Sequence, residues 1–201
     1  YILSYNNKKE LIGDPHGVQT IIPKLLHKNI KNYLNEYRIL TDEVSLYDGY
    51  IINFGVFFDV VAHKHANKQE VKLKCIQKIK DYFNTDNFTF RQPIYISNLE
   101  YELMGIDGVR AVNYVTITQA KDPFSEQEFD PPLYDVTMDN GIATERNSGQ
   151  NNGYGYQYNF NQFFGNNALL NGRGQGVILP SVSPSVFELK NSNQNIKGVV
   201  R

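Results

Sequence analysis

Between Tyr50 and Ala62 the chain is almost unbroken in apolar residues and contains no proline. β-branched and aromatic side chains dominate, as in a strand with both faces covered. Ile52, Phe54, Val56, Phe58 and Val60 share one face. The other carries Asn53, Gly55 and Asp59 among Ile51, Phe57 and Val61, and is expected to be only partly buried. A central strand is predicted, with Gly55 at a bulge or a close backbone approach.

The period then changes from two to 3.6. Asn67 followed by Glu70 gives a capping-box start, in which the Asn side chain accepts from a free N–H of the first turn. The predicted helix runs to about Phe83, with Val71, Cys75, Ile76, Ile79 and Phe83 on one stripe and Lys72, Lys74, Lys78 and Lys80 mostly off it. That is the pattern of a helix lying on a sheet, its lysines on a solvated face. Burying the stripe is worth on the order of 8–14 kcal/mol gross, an upper bound because unfolded chains are already partly collapsed.

Ser97-Asn98-Leu99-Glu100 has the form of a second capping box, for a short helix ending near Met104 and Gly105. After a turn at Gly108, the stretch 111–118 alternates, Val112, Tyr114 and Thr116 against Val115 and Ile117, and predicts another strand. Upstream, Tyr1 to Tyr5 reads as a strand, and a helix is predicted from Pro23 with Leu25, Leu26, Ile30, Tyr33, Leu34 and Tyr37 on its apolar face. Near the end, Val177 to Pro180, Val186 to Lys190 and Ile196 to Val200 read as short strands, the last returning to the sheet.

The order of elements predicts an α+β fold: a two-layer, ferredoxin-like arrangement with helices on one face of a mainly antiparallel sheet, and a right-handed crossover wherever strands pair in parallel. Three parts are expected: an α+β core module over 1–119, a loop or hairpin extension over 120–176, and strands over 177–201 that rejoin the core. The middle part is punctuated by Asp122-Pro123, Asp130-Pro131-Pro132 and Gly141, and 147–176 is dominated by Asn, Gly, Gln and Tyr. Aromatic side chains on a polar, adaptable backbone suit a contact surface. Tyr154, Tyr156, Tyr158, Phe160, Phe163 and Phe164 are the interface candidates.

Three stretches, INFGVFFDV from Ile52, QPIYISNLEYELMGIDGVRAVNYV from Gln92 and ILPSVSPSVFELKNSNQNIKGVV from Ile178, resemble the C-terminal part of the baseplate wedge proteins of T-even-like contractile-tailed bacteriophages, in the baseplate J-like family. The middle motif, a Pro-Ile-x-Ile-Ser-x-Leu helix start followed by Gly-Val-x-x-Val, is common to J-like proteins. The terminal motif narrows the likeness to the T-even-like branch. It spans nearly the whole chain except 120–176. The resemblance implies a structural virion component of the tail baseplate, assembled in the host cytoplasm. Two copies would associate as a homodimer and with other baseplate wedge proteins, and the wedges would join in a ring around the hub and rearrange when the sheath contracts. It implies no catalytic residue, no cofactor and no small-molecule substrate.

Composition narrows the alternatives. The chain begins at Tyr1 with no initiator Met and is already strand-like there, so a longer protein is expected. Lys plus Arg number 20 against 21 Asp plus Glu, which gives no electrostatic footprint for nucleic acid. No run approaches the ~18 apolar residues of a membrane span, so no membrane insertion is expected. The single cysteine, Cys75, excludes an internal disulfide and sits on the apolar stripe as a small hydrophobe.

Candidate chemistry is sparse. His63 and His65 would share a face if the strand continued, and two imidazoles are half a zinc site, the basis of an alternative reading as a metal-dependent hydrolase. No nearby Cys, Asp or Glu completes the spacing. Gly172-Arg173-Gly174-Gln175-Gly176 lacks the strand, the helix and the Lys-Ser/Thr ending of a phosphate loop. Ser97 lies in no nucleophile elbow and is explained as a cap. Asp107, Asp122, Asp130 and Asp135 are scattered through loops. A further alternative, a single-strand nucleic-acid module stacking bases on Tyr and Phe, would need an exposed aromatic sheet.

Overall fold

A computed structural model describes residues 1–5, 9–13, 24–39, 42–84, 88–134, 136–139, 142–146, 155–160, 176–180 and 184–201. The described elements are β1 (Ser4–Tyr5), β2 (Leu11–Ile12), α1 (Lys24–Tyr37), β3 (Tyr50–Asn53), β4 (Gly55–Ala62), α2 (Lys68–Tyr82), β5 (Ile94–Tyr95), α3 (Ile96–Met104), β6 (Val109–Thr118), β7 (Val136–Asp139), β8 (Ile142–Arg146), β9 (Val177–Ile178), β10 (Ser185–Glu188) and β11 (Ile196–Val200). The fold is mixed α+β.

β3 and β4 are one line of chain interrupted at Phe54, and the rest is arranged around it. β10 lies parallel to β3, β11 lies parallel to β4, and β6 runs antiparallel along the other side of β4. The interruption has a cause across the strand: between β10 and β11 the chain makes an excursion over 189–195. Phe54 N–H donates to Glu188 O at its start and Val56 N–H to Asn195 O at its end. Gly55 sits opposite the excursion, where a Cβ would lie 2.2 Å from the Phe129 ring and 2.9 Å from Asn195 O. The glycine marks a close approach, as its place in a strand interior predicts.

One face of this sheet carries the helices. Ile52, Phe54, Val56, Phe58 and Val60 form a single core with Val71, Cys75, Ile79 and Phe83 from the α2 side and Ile96, Leu99 and Leu103 of α3. α2 starts where its cap predicts: Asn67 Oδ1 accepts the Gln69 N–H at 3.1 Å. Glu70 pairs with Lys74 at 2.7 Å, one turn on. α3 departs from expectation. Its N-cap is Tyr95, with no side-chain hydrogen bond, and Ser97 lies exposed in the first turn. β5 runs straight into the helix, so Ile96 already serves as core and the cap position falls before the serine.

The alternation in β6 is broken by a bulge. Tyr114 stands opposite Asp59 and Val112 opposite Val60, leaving Asn113 as the extra residue. Val112 therefore packs against the helix-side core with Val115 and Ile117 instead of sharing a face with Tyr114.

The second face is buried too, contrary to the expectation of partial exposure. Phe57 stacks on Phe129 at 4.6 Å beside Leu133, and Ile51 packs with Leu11 and Val186. Segment 128–133 and the β1–β2 hairpin supply this cover. Segment 136–146 is itself a hairpin, β7 against β8.

α1 departs furthest. The expected sheet-facing stripe is turned outward: Leu25, Tyr33 and Tyr37 are 68%, 60% and 71% exposed. The helix face of the sheet is already filled by α2 and α3. His27 Nε2 lies 3.0 Å from Asp48 Oδ1, where α1 meets the approach to β3.

Candidate functional site

The aromatic segment is where a contact surface was expected, and its described part is built into the core. Gly155 bridges to Ile52, and Tyr156 N–H donates to Ile51 O. Gly155 has φ +77°, and a Cβ there would meet Ile51 O at 2.3 Å, so only glycine allows this approach. Tyr156 and Phe160 are buried, and Tyr158 is half-buried. Tyr158 packs edge-on against Phe160 and Phe187, and its hydroxyl donates to Leu179 O. Burial pushes that phenol up to about 12.

The residue that fixes this segment is Gln119, just beyond β6. Its Nε2 donates to Asn53 O at 2.7 Å and to Tyr156 O at 2.8 Å, and its Oε1 accepts the Tyr158 N–H at 2.7 Å. One buried amide thus staples the backbone of Tyr156 and Tyr158 to the central strand, and Phe160 packs into the helix-side core. Tyr154, Phe163 and Phe164 lie outside the described residues. Residues 155–160 pack against the central strand and the helix-side core.

The histidines do not form a face. β4 ends at Ala62, His63 N–H donates to Gly108 O, and His63 and His65 are exposed in the turn before α2. Among the described residues, no three His, Cys, Asp or Glu side chains gather as a group that could hold a metal. Asp122 is buried and its oxygens are taken up by the adjoining strand and its own loop: it accepts from Tyr114 OH at 2.9 Å, from Ser125 Oγ at 2.6 Å and from Phe124 N–H at 3.1 Å. Asp130 lines a shallow cleft of about 410 Å³ with Leu133, Gln194 and Lys197. The Lys197 ammonium there is held by Glu128 O at 2.6 Å and lies 4.9 Å above the Phe129 ring. Asp135 and 172–175 lie outside the described residues. Among those described, no helix is long and apolar enough to cross a membrane.

Exposed apolar side chains occur on α2 and α3, at Leu73, Tyr101 and Met104, and in a longer run on the N-terminal side. The α1 stripe presents Leu26, Leu34 and the Tyr33–Tyr37 ring pair, with centroids 5.1 Å apart, to solvent. Ile39 and the Tyr1–Tyr47 pair are exposed as well. An amphipathic helix with its apolar side outward is the kind of surface a partner covers.

Two other ionisable sites stand out by burial. Cys75 is fully covered, and burial pushes its thiol up to about 11. Glu188, at the end of β10, is 4% exposed. Its Oε1 accepts the Leu11 N–H at 2.7 Å, while Oε2 has no hydrogen-bond partner. Sequence reading passed over both Gln119 and Glu188, since nothing local sets either apart from a surface residue.

No family model matches the chain, and no curated protein matches it.

Proposed function

We propose that this chain is a structural part of a contractile phage-tail baseplate wedge, acting by association with a second copy of itself and with other wedge proteins. The carrying observation is the set of three motifs that resemble baseplate J-like proteins, together with where they fall. The first supplies the central strand, the second the antiparallel neighbour and α3, and the third the parallel neighbours, so the likeness follows one continuous structural unit. A rigid sheet–helix body with an apolar helix face left outward is what an assembly subunit requires. On this reading the unit is a ferredoxin-like variant with its helices on one face, and α1 replaces the aromatic segment as the first contact surface. Its role in the particle is to join wedges into the ring and to take part in the rearrangement that accompanies contraction.

The test is assembly in solution. Light scattering over a wide concentration range, on the chain alone and mixed with the other wedge proteins from the same genome, should give a dimer and then a larger complex. A Leu26→Glu/Tyr33→Glu variant should weaken both. A strict monomer that binds none of the wedge proteins would refute the proposal.

A further inference from the structure

We propose that the Glu188 carboxyl is a pH-operated latch: neutral, it holds the β1–β2 hairpin against the parallel strands, and ionised, it lets the hairpin open. The geometry carries this. Glu188 ends β10 opposite Asn53 of β3 and lies under the hairpin, whose Leu11 N–H reaches Oε1 at 2.7 Å across 177 positions of sequence. The second oxygen is buried without a partner. A neutral carboxyl tolerates that position far better than a carboxylate does, because an unsolvated charge has a much larger desolvation cost than an unsolvated hydroxyl.

The cover is slight. β1 and β2 are two residues each. The hairpin is held by Leu11 packing on Ile51 and Val186, by the backbone bonds of Ile2 with Tyr47 and Gly49, and by Glu10 near Lys190 at 3.9 Å. Lifting it admits water to both oxygens while leaving the β3–β4 core in place.

The charges that act on Glu188 come from both sides. Glu10 on the hairpin opposes its ionisation, and Lys190, just past β10 and itself 8% exposed, favours it. Asn53 on β3 is uncharged. Burial outweighs the Leu11 hydrogen bond and Lys190, and raises the carboxyl to about 7 from an ordinary 4.5. The closed state therefore binds the proton more tightly than the open one. Closure is strongest below pH ~4.5, weakens as pH rises through 7, and changes little above that.

Amide exchange of Leu11, Ile12 and Ile2 on the whole chain, corrected for the intrinsic pH dependence, tests the latch. Their opening should rise on the order of 50-fold between pH 5 and 7.5 and then level off, while the amides of Val56 and Ala62 in the sheet stay protected. Glu188→Gln, which keeps an acceptor for Leu11 and removes the titration, should flatten the profile. A flat profile in the native chain, or the same slope in the Gln variant, would overturn the proposal. Should Glu188→Gln fail to fold, the carboxyl ¹³C shift of Glu188 decides in the native chain. A midpoint near that of hairpin opening supports the latch, and one in the ordinary carboxylate range refutes it.

Discussion

Arg201 Nη2 lies 2.8 Å from Asp59 Oδ2 and joins the last residue of the sequence to the middle of the central strand. The Asp59 side chain is 4% exposed while that of Arg201 is 68% exposed, so the pair is a buried carboxylate met by a cation at the surface. Asn113, the bulged residue of β6, donates to the other oxygen at 3.1 Å. Arg201→Ala leaves the carboxylate with Asn113 alone and should lower stability by about 1–2 kcal/mol. Urea unfolding measures this. In an Asp59→Asn background, the same arginine change should cost much less.

Gln119→Ala should be among the most damaging polar substitutions, at about 2–4 kcal/mol, because it removes three hydrogen bonds to backbone groups at once, two of them buried and one part-buried. The loss should be accompanied by faster exchange of the Tyr156 and Tyr158 amides. Unchanged exchange there would mean that the segment is held by its aromatic packing alone.

Gly108 has φ +97°, and a Cβ on it would lie 2.7 Å from Val71 Cγ2 in the first turn of α2. Gly108→Val meets both the backbone strain and the clash and should cost about 1–3 kcal/mol. An unaltered melting midpoint would contradict this account of the turn.

The Cys75 thiol, raised to about 11 and enclosed beneath α2, should be nearly inert in the folded protein. At pH 8 roughly one part in a thousand is thiolate. Ellman's reagent should react at the rate of unfolding, not at the rate of an exposed cysteine. Rapid stoichiometric labelling of the native chain would show that the helix–sheet seam opens.

The chain was legible wherever a local pattern and its burial agree. The 50–62 strand, the Asn67 cap, the α2 stripe and the turn at Gly108 all follow from residue type and spacing. The misreadings share a cause, which is that the deciding partner is remote in sequence. Nothing near Ser97 says that β5 feeds straight into α3. Nothing near Tyr156 shows that Gln119, 37 residues earlier, staples it to the core. The α1 stripe has a correct helical period, yet whether such a stripe is covered depends on elements elsewhere, and α2 and α3 already occupy the sheet. One local signal was passed over: Asn140-Gly141 between β7 and β8 is a strong two-residue hairpin sequence.

The contact candidates follow the same logic. Aromatic residues in an Asn- and Gly-rich setting suit either a binding surface or a well-held edge of the core, and composition does not separate the two. What the structure adds is the Gln119 staple on Tyr156 and Tyr158, while the apolar stripe of α1 is exposed.

The measurement that bears most directly on the baseplate reading is where this chain sits in an intact particle. Electron microscopy of contractile-tailed particles carrying the gene, labelled with an antibody raised against the folded chain, should show gold at the baseplate end of the tail, with symmetry-related labels around the ring. Particles that assemble and contract normally with no label anywhere on the tail would contradict the account.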